Sequence, residues 1–196
     1  MDLVPFPYHH EVIWRSLPRL RPWPVRRIER IKRVIVHRSD IVAASKGRYT
    51  GTERGCALYY QKSKGWAGTP YHFSVLEDGS VWQTAALDRL TNGAAPFNTT
   101  SVHVRVRGDF RKHFRPTIVQ FAATAMLCSD LCLTLGLDAK RCVRHGPGLI
   151  NPVKQCPGKR FDIAALQRAV DLDLRGEDHD LSVLSTGEAW WDSKEA

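Results

Sequence analysis

Residues 71–84 read YHFSVLEDGSVWQT, and this stretch predicts a β-hairpin. Residues 71–76 and 81–84 are two strand-like runs that contain aromatic and β-branched side chains. The turn between them is Glu77-Asp78-Gly79-Ser80, and an Asp-Gly pair between two such runs is a strong short-range signal for antiparallel strands. The chain therefore contains a β-sheet, part of which forms between neighbours in sequence.

Two more strands are predicted on either side of this hairpin. Upstream, Val34-Ile35-Val36 is a short run of β-branched residues, the pattern of a strand buried on both faces. His37 ends that run, and functional sites in open α/β sheets collect beyond the carboxyl ends of such strands. Downstream, residues 101–107 alternate in type and predict a further strand, closed by Gly108-Asp109.

The sequence also indicates helices. Thr50 and Glu53 fit a capping box that opens a first helix, which ends near Gly65. Pro116 suits the first turn of a second helix, whose apolar residues recur every three or four positions until Gly136 stops it.

The C-terminal part completes the predicted order of elements. Residues 141–145 predict a short strand, residues 146–157 a loop with two Gly and three Pro, and residues 162–172 a last helix. Strand, helix, hairpin, strand, helix, strand and helix in that order favour an α/β fold. We therefore expect a single domain with a mixed central β-sheet flanked by about three helices.

The chain length and charge set the predicted domain limits. A chain of 196 residues suits one core, and 43% hydrophobic with 25% charged residues is ordinary for a soluble globular protein. We assign residues 1–30 to a basic arm rich in Pro and Arg, residues 31–172 to the domain, and residues 173–196 to an acidic tail. No apolar run of about 20 residues predicts a membrane span, and no secretory signal is seen, so we expect delivery to any extracellular target by another route.

The charge is unevenly distributed. Residues 171–196 hold eight acidic and two basic side chains, so the first 170 residues hold 27 basic and 12 acidic ones. This excess favours a polyanion such as nucleic acid, an anionic membrane or an anionic cell wall, although solvated surface charge explains it equally well. The charge alone does not choose among these partners.

Five cysteines are an odd number, so at least one stays unpaired within the chain. Cys128 and Cys132 lie four residues apart in a predicted helix, where packing as small apolar side chains is favoured over a local disulfide. We therefore expect a mostly reduced protein without a disulfide framework.

Four segments contain residues suited to catalysis: residues 34–37 (VIVH), 71–73 (YHF), 143–145 (VRH) and 154–158 (KQCPG). Each of them alone is more often an ordinary strand or loop. Their order is more informative, because one His ends a strand and a second His opens a loop that closes on a Cys.

In these segments the chain resembles the type 2 zinc N-acetylmuramoyl-L-alanine amidases, a superfamily shared by small phage lysozymes and peptidoglycan recognition proteins. In that family a hydrophobic strand ends in the first His ligand, as at His37. An aromatic-His-Phe strand leads into an Asp-Gly hairpin, as in residues 71–79. An Asn-x-x-Ser segment ends in Gly-Asp-Phe, as in residues 98–110. The second His ligand opens a loop that ends in Cys-Pro-Gly, as at His145 and residues 156–158.

The resemblance covers roughly residues 31–172 and implies a zinc site. The implied ligands of one Zn²⁺ are His37, His145 and Cys156. Zinc accepts neutral imidazole and thiolate, and three protein ligands leave a position open for water, as in catalytic sites. The implied reaction is hydrolysis of the amide between N-acetylmuramic acid and L-alanine in peptidoglycan or a muropeptide. The expected protein is a monomer with no specific nucleic-acid partner.

The resemblance to the small phage lysozymes also implies two catalytic residues. Tyr71 and Lys154 stand where that branch has a catalytic Tyr and Lys. An attacked carbonyl becomes an oxyanion that needs fixed donors, which a Lys ammonium and a Tyr hydroxyl can supply. Without the resemblance, Tyr71 is better interpreted as a packed strand aromatic and Lys154 as a solvated loop cation.

Three positions depart from the family pattern. Arg105 replaces a Glu that other members use as a base. Residues 91–95 lack a His that many relatives carry there. His103 stands where the family has Gly, and it is interpreted as a local packing residue, a fourth ligand or a substrate contact.

Two alternatives to the hydrolase stay open. A recognition module without turnover is disfavoured because non-catalytic relatives typically lose the Cys ligand, which this chain keeps. A polyanion-binding protein with a structural zinc would need a fourth ligand, either His103 or Cys142. If residues 141–145 are extended, positions three apart face opposite sides, so Cys142 and His145 cannot share one ion.

Overall fold

A computed structural model of the chain describes residues 10–17, 19–38, 52–111, 114–146 and 155–177. The strands are β1 (His10–Val12), β2 (Arg33–Arg38), β3 (Phe73–Val75), β4 (Val81–Gln83), β5 (Ser101–Val106) and β6 (Cys142–Arg144). The α-helices are α1 (Glu53–Lys64), α2 (Ile118–Leu135) and α3 (Ile163–Leu174). Short 3₁₀ helices lie at Ile28–Arg30, Phe97–Thr100 and Ala139–Arg141.

All six strands form one mixed sheet in the order β1-β4-β3-β5-β2-β6. β3 and β4 pair antiparallel across the Asp-Gly turn, as predicted, and the other neighbouring pairs are parallel. The expected α/β fold with a mixed central sheet and three helices is confirmed.

The two faces of the sheet differ in chemistry. One face is apolar and packs against α2 and α3; its strand residues include Val34, Val36, Val102, Val104 and Val106. Alternate residues of the same strands point to the other face. That second face bears buried polar side chains: His37, Ser74, His103 and Arg105.

Over an 18-residue window, helix α2 is long and apolar enough to cross a membrane, judged by length and composition alone. However, 56% of this window is buried inside the fold, and Phe121, Leu127 and Leu131 belong to the hydrophobic core. Its burial is therefore that of a core helix.

The helix ends follow the predicted glycines, but both N-terminal caps differ from the prediction. Gly65 and Gly136 end α1 and α2 with positive φ of 66° and 63°, values that glycine adopts without strain. The N-cap of α1 is Thr52 and not Thr50, which lies outside the described residues. Thr117 caps α2, so Pro116 precedes the helix instead of occupying its first turn.

The structure also locates parts of both terminal segments. β1 adds an edge strand parallel to β4, and Trp23 and Arg26 are buried against the domain. At the other end, α3 continues to Leu174, past the predicted tail boundary. Residues 178–196 lie outside the described residues.

All five cysteines are free and buried, as expected for a reduced protein. Cys142 Sγ lies 3.7 Å from Cys132 Sγ in the core between β6 and α2. Both thiols therefore serve packing.

Candidate metal centre

Three predicted ligands meet at one end of the sheet. His37 is near the carboxyl end of β2, and β6 runs parallel beside it. His145 follows β6 directly, and its N–H donates to the Val36 carbonyl at 3.2 Å. Cys156 lies in the loop that leads to α3. Because parallel neighbours end at the same edge, the two histidines come together there.

The donor atoms of these three residues are close enough for a single ion. One ring nitrogen of His37, one of His145 and the Cys156 Sγ all lie within 4.8 Å of one another. The residues are only 2%, 4% and 3% exposed. Zinc bond lengths and a tetrahedral angle require about 3.5 Å between a sulfur and a nitrogen ligand, and Cys156 Sγ is 3.9 Å from His37 Nδ1. Two imidazoles and one thiol therefore fit zinc in both chemistry and spacing.

The two nitrogens of His37 face different neighbours. Nδ1 faces Cys156, whereas Nε2 lies 3.1 Å from His103 Nδ1. His103 is fully buried, and its Nε2 has no hydrogen-bond partner in the described part of the chain. Burial, followed by the positive charge of Arg26, holds the pKa of His103 well below the ordinary 6.5. The imidazole of His103 is therefore neutral at pH 7.

Tyr71 lies beside the cluster, and its ring centroid is 5.3 Å from that of His37. It is 3% exposed, and the Arg105 guanidinium carbon is 5.2 Å from its ring centroid. The structure thus places Tyr71 between a candidate ligand and a buried cation. Lys154, the other predicted catalytic residue, lies outside the described residues.

Arg105 takes part in a buried polar group under α1. It pairs with the Glu53 carboxylate and donates to Ser74 Oγ at 3.2 Å and to Cys56 Sγ at 3.2 Å. Ser74 Oγ donates to the other Glu53 oxygen at 3.1 Å. The sequence around Glu53 predicts a helix-capping residue and gives no sign of this pair, since no local pattern joins two residues 52 positions apart.

The loop that carries Cys156 is held by contacts on both sides. Arg38 Nε donates to the carbonyl of Gln155 at 3.2 Å. Gly158 has φ of 125°, and a Cβ there would lie 2.3 Å from the Phe110 carbonyl oxygen. Glycine is therefore required where the loop crosses the Gly-Asp-Phe turn.

Residues 27–159, more than half of the chain, match the N-acetylmuramoyl-L-alanine amidase family. The chain belongs to that family. No curated protein sequence matches it.

Solved structures share the fold of this amidase-family chain at low sequence identity. The N-acetylmuramoyl-L-alanine amidase LysC from Clostridium intestinale URNW is 16% identical with a TM-score of 0.67, and the match covers 83% of this chain and 97% of LysC. The Ph2119 endolysin from Thermus scotoductus MAT2119 bacteriophage Ph2119 is 18% identical (TM-score 0.65, coverage 83% and 99%). A Drosophila PGRP-LB variant in complex with tracheal cytotoxin is 20% identical (TM-score 0.60, coverage 87% and 96%).

His103 and Cys142 were the two candidates for a fourth ligand. In the part of the chain that the structure describes, neither belongs to the cluster. His103 Nδ1 faces His37 Nε2, the ring nitrogen that points away from Cys156. Cys142 Sγ contacts Cys132 Sγ in the core. The candidate ligand set thus consists of three residues, which is the number found in catalytic zinc sites. His72 is buried, and its Nδ1 accepts the backbone N–H of His103.

Proposed function

We propose that this protein is a zinc-dependent amidase that hydrolyses the bond between N-acetylmuramic acid and L-alanine in peptidoglycan. The observation that carries the proposal is the buried cluster of His37, His145 and Cys156, whose donor atoms lie within 4.8 Å of one another. Family membership supports the substrate class. The relative bound to tracheal cytotoxin supports a muropeptide as the ligand.

The chain would divide the chemistry among a few residues. His37, His145 and Cys156 would hold the ion, which when bound supplies a Lewis acid and an activated water. The Tyr71 hydroxyl would donate a hydrogen bond to the developing oxyanion, and the Lys154 ammonium would place a positive charge beside it. The buried Arg105 would hold the Tyr71 ring in place through its cation–π contact.

Two observations favour hydrolysis over the alternative functions. The thiol ligand Cys156 is present and buried with both histidines, whereas a recognition module has no need of a complete ligand set. A structural zinc would require a closed set of four ligands, and among the described residues the cluster has three. The excess of basic residues is proposed to attract the protein to an anionic wall instead of nucleic acid.

The experiment is mass spectrometry of purified muropeptides incubated with the protein, with and without a chelator. Hydrolysis adds one water and separates the sugar from a stem peptide with a free L-alanine amino group. We expect about one zinc per chain, with turnover lost on chelation and restored by zinc. Full activity after exhaustive chelation would refute the metal, and binding without products would favour the recognition module.

A matched pair of cysteine variants tests the ligand assignment. Cys156→Ser should lose bound zinc and turnover. Cys142→Ala changes an equally buried thiol outside the cluster, so it should retain both if the protein stays folded by its melting curve. Equal zinc content in the two variants would remove Cys156 from the ligand set.

A further inference from the structure

We propose that His103 is a positioning residue that fixes the ring and the tautomer of the zinc ligand His37. The inference rests on the proposed zinc site. A neutral imidazole binds a metal through its unprotonated nitrogen and carries its proton on the other. Because His37 Nδ1 faces Cys156, the proton lies on Nε2. His37 Nε2–H then donates a hydrogen bond to His103 Nδ1 at 3.1 Å. Partners of this kind orient metal-binding histidines.

Backbone hydrogen bonds place His103 for this contact. Its N–H donates to His72 Nδ1 at 3.0 Å, and its carbonyl accepts the His72 N–H at 2.8 Å. The two rings stack with centroids 5.7 Å apart and planes 21° apart. His72 Nε2 in turn lies 3.1 Å from the Arg89 carbonyl. The His103 ring therefore has little freedom to turn away from His37.

Gly93 closes the remaining side of the ring. A Cβ at Gly93 would lie 2.6 Å from both Cγ and Nδ1 of His103 and 2.8 Å from the Pro70 carbonyl oxygen. These distances are far shorter than van der Waals contact. A methyl group there would push the His103 ring without removing any polar atom.

The orphan nitrogen of His103 argues against a purely structural role. Since Nδ1 accepts from His37, Nε2 carries a proton, and that N–H is buried without an acceptor in the described part of the chain. A buried N–H without an acceptor destabilises the folded state. An apolar residue could fill the same volume without this cost, so packing alone does not account for a histidine here.

The test compares the zinc affinity of three variants by competition with a chromophoric chelator. His103→Leu keeps the volume and removes the acceptor, and we expect zinc to bind on the order of 10- to 100-fold more weakly. His103→Asn places Oδ1 near the position of Nδ1, and its affinity should stay within about threefold of the wild type. Gly93→Ala should weaken zinc binding by displacing the ring.

Melting curves of the metal-free proteins control for folding, and the absorption spectrum of bound Co²⁺ reports the ligand set. We expect every variant to retain the thiolate-to-cobalt band, because His103 is not a ligand. A cobalt spectrum in His103→Asn that shows a lost nitrogen ligand would overturn the positioning role, because Asn keeps the acceptor for His37 and would lose only a direct His103 ligand. Equal zinc affinity for His103→Leu and the wild type would also overturn it.

These outcomes differ from a failure of the proposed function. If the wild type binds no zinc, the metal site itself is refuted. If the wild type binds zinc and cleaves muropeptides while His103→Leu behaves like it, only the role of His103 is refuted. Should His103→Leu fail to fold, unchanged zinc affinity in Gly93→Ala would still contradict the proposal.

Discussion

The buried pair of Glu53 and Arg105 allows a quantitative prediction about stability. Their side chains are 1% and 2% exposed, so solvent screens the interaction little. Glu53→Ala would remove the carboxylate partner of the buried guanidinium, whose other contacts include the neutral Ser74 Oγ and Cys56 Sγ. Removing one partner of a buried ion pair costs about 3–5 kcal/mol. Loss of an acidic residue from the first turn of α1 adds only about 0.3–1 kcal/mol.

The assay is urea and thermal unfolding of the metal-free protein. For a chain of this size, 1 kcal/mol corresponds to roughly 2–4 °C in Tm, so Glu53→Ala should lower Tm by roughly 6–20 °C. The double variant Glu53→Met with Arg105→Met replaces both charges by apolar side chains and should recover most of the loss. Exposed ion pairs contribute below about 1 kcal/mol. If Glu53→Ala lowers the free energy of unfolding by less than that, the pair is solvated in solution.

Two further predictions concern turnover and wall binding. Tyr71→Phe and Lys154→Ala should keep bound zinc and lose on the order of 10²–10³ in rate, the usual loss for one oxyanion donor; zinc content with steady-state rates measures both, and nearly full activity in both would assign the role to other residues. Because surface attraction is screened over roughly 8–10 Å at physiological ionic strength, activity on intact sacculi should fall steeply with salt, whereas activity on a small neutral muropeptide should hardly change. Deleting residues 178–196 removes five acidic and one basic side chain while leaving α3 intact, and it should strengthen wall binding in a co-sedimentation assay; equal salt dependence on both substrates would contradict this view of the charge.

Short-range patterns in the sequence predicted most of the fold. The Asp-Gly turn between β3 and β4, the glycines that end α1 and α2 and the buried strand before His37 were all predicted correctly. Each depends on a few adjacent residues, whose backbone preferences act locally. The three clustered site residues were predicted through the spacing and order of motifs that resemble an amidase family, and the structure brings them together.

Contacts between distant residues were decided by the tertiary structure alone. Glu53 and Arg105 are 52 positions apart, and His37 and His103 are 66 apart. These pairs meet because β2, β3 and β5 are neighbours on one sheet and α1 covers their polar face. Local sequence encodes an element and its polar side chains, but the partner of a buried polar group depends on which strands become neighbours. The sequence by itself therefore determined the family and the candidate ligands, and the tertiary structure decided what holds those ligands in place.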